Sequence, residues 1–189
     1  TRDITLFSER YGISETDRVV IFVGRLGKEK NVYFLLDVFE KVLKRSPDAV
    51  LFIAGDGPER KAMEKSLKSK GLLDRVCFAG YLPHDEIFTA YKLAEVICFP
   101  SKTETQGLSL LEGLAMGCPA VCMDAMGVKD ILEGDQGGYL LKEDPALFAD
   151  KIVTLLSDSE LYLTKKEEAL KRSKAFSSKE MAKRLIDIY

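Results

Sequence analysis

The stretch "VVIFVGRLGKEKN", residues 19–31, joins a short apolar run to a basic loop and then to a helix-like segment. Its first six residues are apolar without alternation, as a strand buried on both faces requires. Gly24 permits a tight exit from the strand, and Arg25 and Lys30 bring two cations to the loop. Asn31 is suited to cap the helix that follows. The stretch therefore predicts a strand of a parallel sheet whose exit loop carries positive charge.

Five further apolar runs follow along the chain, at 49–55, 75–80, 96–100, 120–123 and 137–141. Helix-length segments separate them, the first two at 31–46 and 59–71. The first has Phe34, Val38 and Val42 at four-residue spacing, which is typical of an amphipathic helix. This alternation predicts an α/β fold with a Rossmann-like, doubly wound parallel sheet of about six strands and helices on both faces.

After residue 145 the pattern is helical only, with helices expected near 145–156, 160–175 and 178–188. This helical C-terminal tail is basic: residues 165–184 hold eight Lys and Arg against three Glu. Two interpretations remain open. The tail is a solvated helical face, or it is a patch that meets an anionic membrane surface.

Length and composition are those of a globular domain, with 189 residues, 46% hydrophobic and 31% charged. No apolar run approaches the ~20 residues that span a bilayer, and no secretory signal opens the chain. A net charge of -2 argues against a nucleic-acid binder. Because residue 1 is Thr, we expect residues 1–189 to be one domain excised from a longer, cytoplasmic protein.

The four cysteines, Cys77, Cys98, Cys118 and Cys122, show no metal-binding spacing and lie mostly in strand-like runs. We expect four free thiols in a reducing compartment. His84 is the single histidine and cannot make a zinc site alone. No metal site is therefore expected.

Two further loops follow predicted strands. "GDGPER", 55–60, resembles a dinucleotide fingerprint but lacks the third glycine, so we interpret it as a tight turn with Pro58 opening the helix. In "GYLPHDEI", 80–87, the backbone at Tyr81 and Leu82 is placed to read the edge of a base. A plain loop with Asp85 as a helix cap is the equal alternative.

The stretch "SKTETQGLSLLEGLAMGCPAV", 101–121, predicts a loop and then a helix that is apolar nearly all round. On a helical wheel Glu112 falls between Leu108 and Met116, on an apolar face where a carboxylate needs a basic partner or solvent. Gly107 opens the helix and leaves backbone N–H groups free for an anion. Glu104 offers an acceptor for a sugar hydroxyl, and residues 105–108 offer backbone N–H groups to an anion. Glu112 offers an acceptor for a diol.

Together "GRLGKEKN", "GDGP", "VCFAGYL" and "PSKTETQGLSLLEGLAMGCPAV" resemble the C-terminal domain of family 4 glycosyltransferases, which have the GT-B fold. The resemblance runs from about residue 19 to residue 141. It implies that the domain binds a nucleotide-diphosphate sugar. The residues implied as catalytic are Arg25 and Lys30 on the diphosphate and Glu104 on the donor sugar. Those implied for donor binding are Gly24, Tyr81, Leu82, Thr105, Gln106, Gly107 and Leu108, with Glu112 on the ribose diol.

The resemblance further implies retention of anomeric configuration, no bound metal or other cofactor, and an acceptor site on a missing N-terminal domain. The fragment alone should then be inactive. The motif "TETQGL" is similar to the corresponding motif of transferases that use UDP-glucose and act on diacylglycerol and related lipids. A lipid acceptor of this kind suggests peripheral association of the enzyme with the inner face of the cell membrane. Gly113 stands where Ala is common in the family, which should loosen the helix by up to ~1 kcal/mol. Two other hypotheses stay open: a dinucleotide-binding oxidoreductase domain, and a non-catalytic nucleotide-binding module.

Overall fold

A computed structural model describes residues 2–103 and 107–176 of the chain. Its strands are Arg18–Val23 (β1), Ala49–Ala54 (β2), Val76–Gly80 (β3), Val96–Phe99 (β4), Ala120–Met123 (β5) and Gly138–Leu141 (β6). The helices in the described part are Arg2–Arg10 (α1), Val32–Leu43 (α2), Arg60–Ser69 (α3), His84–Leu93 (α4), Leu108–Ala115 (α5), Met126–Lys129 (α6), Pro145–Ser157 (α7) and Ser159–Ala175 (α8).

The six strands form one parallel sheet in the order β3-β2-β1-β4-β5-β6. The chain runs outward in one direction from β1 to β3, and then returns to place β4 on the other side of β1. This confirms the prediction of a doubly wound, Rossmann-like sheet. In such sheets ligands bind outside the carboxyl ends of the strands where the order reverses, which here is between β1 and β4.

Helices cover both faces of the sheet, and each face has its own core. Val20 and Phe22 of β1 point into a layer formed with α2, α3 and α7. Their neighbours Val19 and Ile21 point into a layer formed with α1, α4, α5 and α8. Because both sets are almost completely buried, the strands need apolar residues without alternation, and the sequence has them.

Helix ends account for most differences from expectation. Asn31 occupies the N-cap position of α2 in a left-handed conformation (φ 55°), but its side chain makes no capping hydrogen bond. Its amide donates to Glu143 instead. Asp85 lies inside the first turn of α4, after Pro83, and is not its cap. Pro58 lies in a turn two residues before α3. Helix α1 was not anticipated, and the helix expected at 178–188 lies outside the described residues.

The loops after β1 and β2 are joined backbone to backbone. Leu26 N–H donates to the Asp56 carbonyl, and Glu59 N–H donates to the Leu26 carbonyl, both at 3.0 Å. A Cβ on Gly55, whose φ is 145°, would lie 1.9 Å from the Gly24 carbonyl oxygen. Gly55 of "GDGP" therefore permits the close approach of these two loops. This agrees with the interpretation of the motif as a turn and not as a dinucleotide fingerprint.

Helix α8 packs on α5 and α7, and its basic residues are partly used inside the domain. Arg172 donates to the carbonyls of Asp130 and Ile131 and pairs with Glu133. Lys165 donates to the Asp135 carbonyl and to Glu168. This favours a packed helical tail for the part up to residue 176. In the described part of the chain, no helix combines the length and apolarity that crossing a bilayer requires.

Candidate functional site

The candidate residues lie in loops at the carboxyl edge of the sheet. Gly24, Arg25 and Lys30 follow β1, and Gly107 and Leu108 follow β4. Because β1 and β4 are hydrogen-bonded neighbours at the reversal of strand order, these two loops leave the sheet from adjacent strands at the same edge. Two distant parts of the sequence thus flank the place where such sheets bind ligands.

A cleft of about 180 Å³ lies over the ends of β1, β2 and β3. Its lining includes Gly24, Arg25, Tyr81 and Leu82, four of the predicted site residues. The Tyr81 ring is 75% exposed, and its hydroxyl donates to the Asp56 carbonyl at 3.3 Å. This hydrogen bond holds an aromatic face at the cleft's edge.

Arg25 is exposed and is available to an anionic ligand. Its guanidinium pairs with Glu29 at 3.4 Å, and both side chains are about half exposed or more. An exposed pair of this kind contributes little free energy, typically about 0–1 kcal/mol. A diphosphate can therefore take over the guanidinium at small cost. Lys30 ends the short 3-10 helix that leads into α2 and is half-buried.

Helix α5 follows β4, the neighbour of β1 in the sheet. Its N-cap residue, Gly107, is buried and left-handed (φ 56°, ψ 34°) and has no side chain with which to cap the helix. The first backbone N–H groups of a helix have no partner within it, so those of residues 108–110 are oriented out of the helix end. This end carries partial positive charge and suits a phosphate. Leu108 is 62% exposed at the same end.

Glu112 lies on the outward side of α5, and this corrects the expected environment. The helix buries Leu110, Gly113 and Leu114 against the core, whereas Leu108 and Ala115 are exposed beside Glu112. Glu112 itself is only partly buried. The carboxylate is thus tolerated because it reaches solvent, and its tolerance needs no ligand. A ribose contact remains a prediction.

Three predicted site residues, Glu104, Thr105 and Gln106, lie outside the described residues. Their loop is bounded by described segments on both sides. Ser101, at its start, is buried, and Gly107 is buried at its end.

One interaction at this edge was missed from the sequence. Glu143, after β6, accepts from Asn31 at 3.2 Å and from Lys102 at 2.5 Å. The hydrogen bonds from Lys102 and Asn31 lower the pKa of Glu143. The contact ties the loops after β1, β4 and β6 together. Lys102 lies two residues before Glu104 in the stretch 101–121. This position was the one feature of the sequence that could have marked Lys102 as a candidate.

Other features do not join this crevice. A groove of about 470 Å³ lies between α1 and α4, with Leu6 and Phe88 in its walls and an ion pair of 2.7 Å between Arg10 and Glu86. None of the predicted site residues lines it. Within residues 2–103 and 107–176, no cluster of His, Cys, Asp and Glu could hold a metal ion. The four cysteines carry free thiols, three of them buried.

A comparison with known protein families shows the family to which the chain belongs. The sequence profile described as "Glycosyl transferases group 1" matches residues 3–172. The chain belongs to this family. Membership favours the glycosyltransferase hypothesis over the oxidoreductase and the non-catalytic module.

Relatives in the group 1 family are similar over much of this chain. An alpha-D-kanosaminyltransferase of Streptomyces kanamyceticus is 35% identical over 155 residues, which is 81% of this chain and 40% of the relative. The alpha-monoglucosyldiacylglycerol synthase of Acholeplasma laidlawii is 31% identical over 121 residues, 64% of this chain and 30% of that protein. The chain thus spans about two fifths or less of the length of these relatives.

Solved structures confirm the fold as the C-terminal half of a GT-B glycosyltransferase. Anabaena Alr3699/HepE, in complex with UDP and glucose, superposes with a TM-score of 0.85 at 21% identity, covering 99% of this chain and 51% of that one. The C-terminal domain of a group 1 glycosyl transferase (LpcC) from Francisella tularensis superposes with a TM-score of 0.80 at 24% identity, covering 93% of both chains. That domain was crystallised by itself.

Proposed function

We propose that the chain is the donor-binding domain of a glycosyltransferase and binds a nucleotide-diphosphate sugar in the crevice between the loops after β1 and β4. One observation carries the proposal: Arg25 and Lys30 follow β1 and the N-terminus of α5 follows β4, the two strands between which the strand order reverses. Family membership and the solved complexes of neighbours with UDP support it.

In this proposal each group has a chemical task. Arg25, Lys30 and the first N–H groups of α5 bind the diphosphate and stabilise its charge as the sugar leaves. These cations and the helix end do what a metal does elsewhere, so we propose that no metal is needed. The backbone at Tyr81 and Leu82 reads the base, and Glu112 accepts from the ribose hydroxyls. Glu104 contacts hydroxyls of the donor sugar.

We further propose that the donor is UDP-glucose or a similar sugar nucleotide, transferred with retention of configuration to a lipid or saccharide acceptor. The acceptor site lies on an N-terminal domain of the same chain, and a lipid acceptor would bring the cytoplasmic enzyme to the inner membrane face. The name of the alpha-monoglucosyldiacylglycerol synthase supports the lipid class. Assays of the full-length enzyme with UDP-glucose, a glycerolipid and a saccharide panel separate the two.

Calorimetry with the purified 189-residue chain tests the donor site. UDP and UDP-glucose should bind and NAD should not. Arg25→Ala and Lys30→Ala should each weaken UDP binding about 10-fold to 100-fold, because hydrogen bonds to charged groups are lost. Lys68→Ala is the matched control, since Lys68 is exposed at the far end of α3. Tighter binding of NAD than of UDP would refute the proposal.

A further inference from the structure

Tyr91 is a buried phenol that joins two helices beneath the proposed site. It lies in α4, is 1% exposed, and packs in the core with Leu110 and Leu114 of α5. Its hydroxyl donates to the Ser109 carbonyl, 2.5 Å away, in the first turn of α5. Burial raises the pKa of this phenol far above its ordinary value, and the charge of Glu112 adds to the effect. Burial therefore favours the neutral phenol, which donates this hydrogen bond.

The ring of Tyr91 also fits against Gly113. A Cβ placed on Gly113 would lie 2.8 Å and 3.0 Å from two ring carbons of Tyr91, and 2.3 Å from the Ile97 side chain. The backbone of α5 thus rests directly on the ring at this point. Tyr91 thus contacts α5 at two points, through its ring at Gly113 and through its hydroxyl at Ser109. Two contacts of this kind restrict both the rotation of α5 about its axis and its position relative to α4.

A purely apolar contact would not require the hydroxyl. Phenylalanine fills the same ring volume and brings no buried polar group that must find a partner. The acceptor that Tyr91 uses is a backbone carbonyl three residues before Glu112, in the first turn of α5. Glu112 is one residue from Gly113 and so stands about 100° around the helix, on its partly exposed side.

We propose that Tyr91 is a positioning residue for donor binding, which holds α5 so that Glu112 meets the ribose hydroxyls. The inference rests on the proposed function, because it assumes that Glu112 accepts from the ribose. Tyr91 itself touches no ligand. It acts through the helix that it holds.

The test compares UDP with 2′-deoxy-UDP in the purified chain, by calorimetry. The wild type should bind UDP more tightly, through the 2′-hydroxyl contact with Glu112. In Tyr91→Phe we expect UDP affinity to fall about threefold to tenfold while 2′-deoxy-UDP affinity stays within about twofold. A merely structural defect would weaken both nucleotides equally. Tyr162→Phe, which changes a half-buried phenol of α8, is the matched control and should keep the wild-type ratio.

A second variant displaces the helix without touching the hydroxyl. Gly113→Ala forces α5 away from the ring. In this variant too, the ratio of the affinity for UDP to the affinity for 2′-deoxy-UDP should fall towards one. Both affinities are measured at a temperature below the unfolding transition of the variant. A wild-type ratio in both variants would overturn the role of Tyr91. If the wild type itself binds both nucleotides equally, the ribose contact of Glu112 is wrong and the inference falls with it, whereas the diphosphate site is still judged by Arg25→Ala.

Discussion

At the scale of single residues, Glu112 lies in an environment that differs from the one its sequence neighbours suggest. The sequence places it among leucines, which suggests a costly buried charge. The structure turns this face outward, with Leu108 62% exposed. A helical wheel gives the angle between residues but not which side meets the core. That side is set by the contact of Gly113 with Tyr91 and Ile97.

Replacement of Glu112 tests the ribose contact directly. Glu112→Gln should leave the fold intact and weaken UDP binding by about 1–3 kcal/mol, because a charged acceptor for the diol is lost. Removal of the 2′-hydroxyl should then cost little more. Calorimetry of UDP and 2′-deoxy-UDP with the wild type and with Glu112→Gln gives the four affinities of a double-mutant cycle. Glu167→Gln, on the exposed face of α8, is the control. Fully additive losses would show that Glu112 and the 2′-hydroxyl do not meet.

The candidate cations could be found from sequence because charge after a buried strand is a local signal. Arg25 and Lys30 follow an apolar run, and parallel strands end at one edge of the sheet. Glu143 could not be found in this way. Its partners Asn31 and Lys102 lie 112 and 41 positions away in the chain, and only the order of the strands brings them together.

At the scale of elements, strands were predicted closely and helix ends were not. A strand buried on both faces requires several consecutive apolar residues, and such a run is easy to recognise in the sequence. Each of the six predicted runs corresponds to a strand. A helix end depends on one or two side chains with competing partners. Asn31 illustrates this, because its amide donates to Glu143 and leaves α2 without a side-chain cap.

Gly113 gives an element-scale prediction that opposes helix propensity. Propensity alone makes Gly113→Ala stabilising by up to ~1 kcal/mol. The contacts at 2.3 Å to Ile97 and 2.8 Å to Tyr91 make it overpacked, so we expect a net loss of about 1–3 kcal/mol in the free energy of unfolding. Urea denaturation measures it. Ala62→Gly, on the exposed face of α3, reports the propensity term alone. A stabilised Gly113→Ala would mean that α5 does not rest on the ring.

At the scale of the whole molecule, carboxylates join elements that are distant in sequence. Asp17 accepts from Ser14 and from Arg75, and Arg75 also donates to the Ala49 carbonyl. Burial acts to raise the pKa of Asp17, but the hydrogen bonds from Ser14 and Arg75 outweigh it, so the pKa is lowered. The pKa of Glu168 is likewise lowered against burial, by bonds from Gly137 and Lys165.

These shifts predict the acid limb of the stability curve. A carboxyl with a lowered pKa in the folded state stabilises the fold above the unfolded pKa of about 4, and this is lost as the pH falls through the folded value. The urea midpoint should therefore be nearly constant from about pH 6 to 8 and fall below about pH 4. Asp17→Asn should lower the midpoint at neutral pH and flatten that fall, while Asp74→Asn, at an exposed position, should do neither. A fall that is equally steep in Asp17→Asn would contradict the assignment.

A nucleotide diphosphate bound between the loops after β1 and β4, as proposed above, should slow amide exchange in both loops. Hydrogen–deuterium exchange of the chain with and without saturating UDP measures this. We predict slower exchange in residues 24–31, 80–82 and 107–112, and loss of that protection in Arg25→Ala. Protection confined to the groove between α1 and α4, in residues 3–10 and 84–92, would contradict the account.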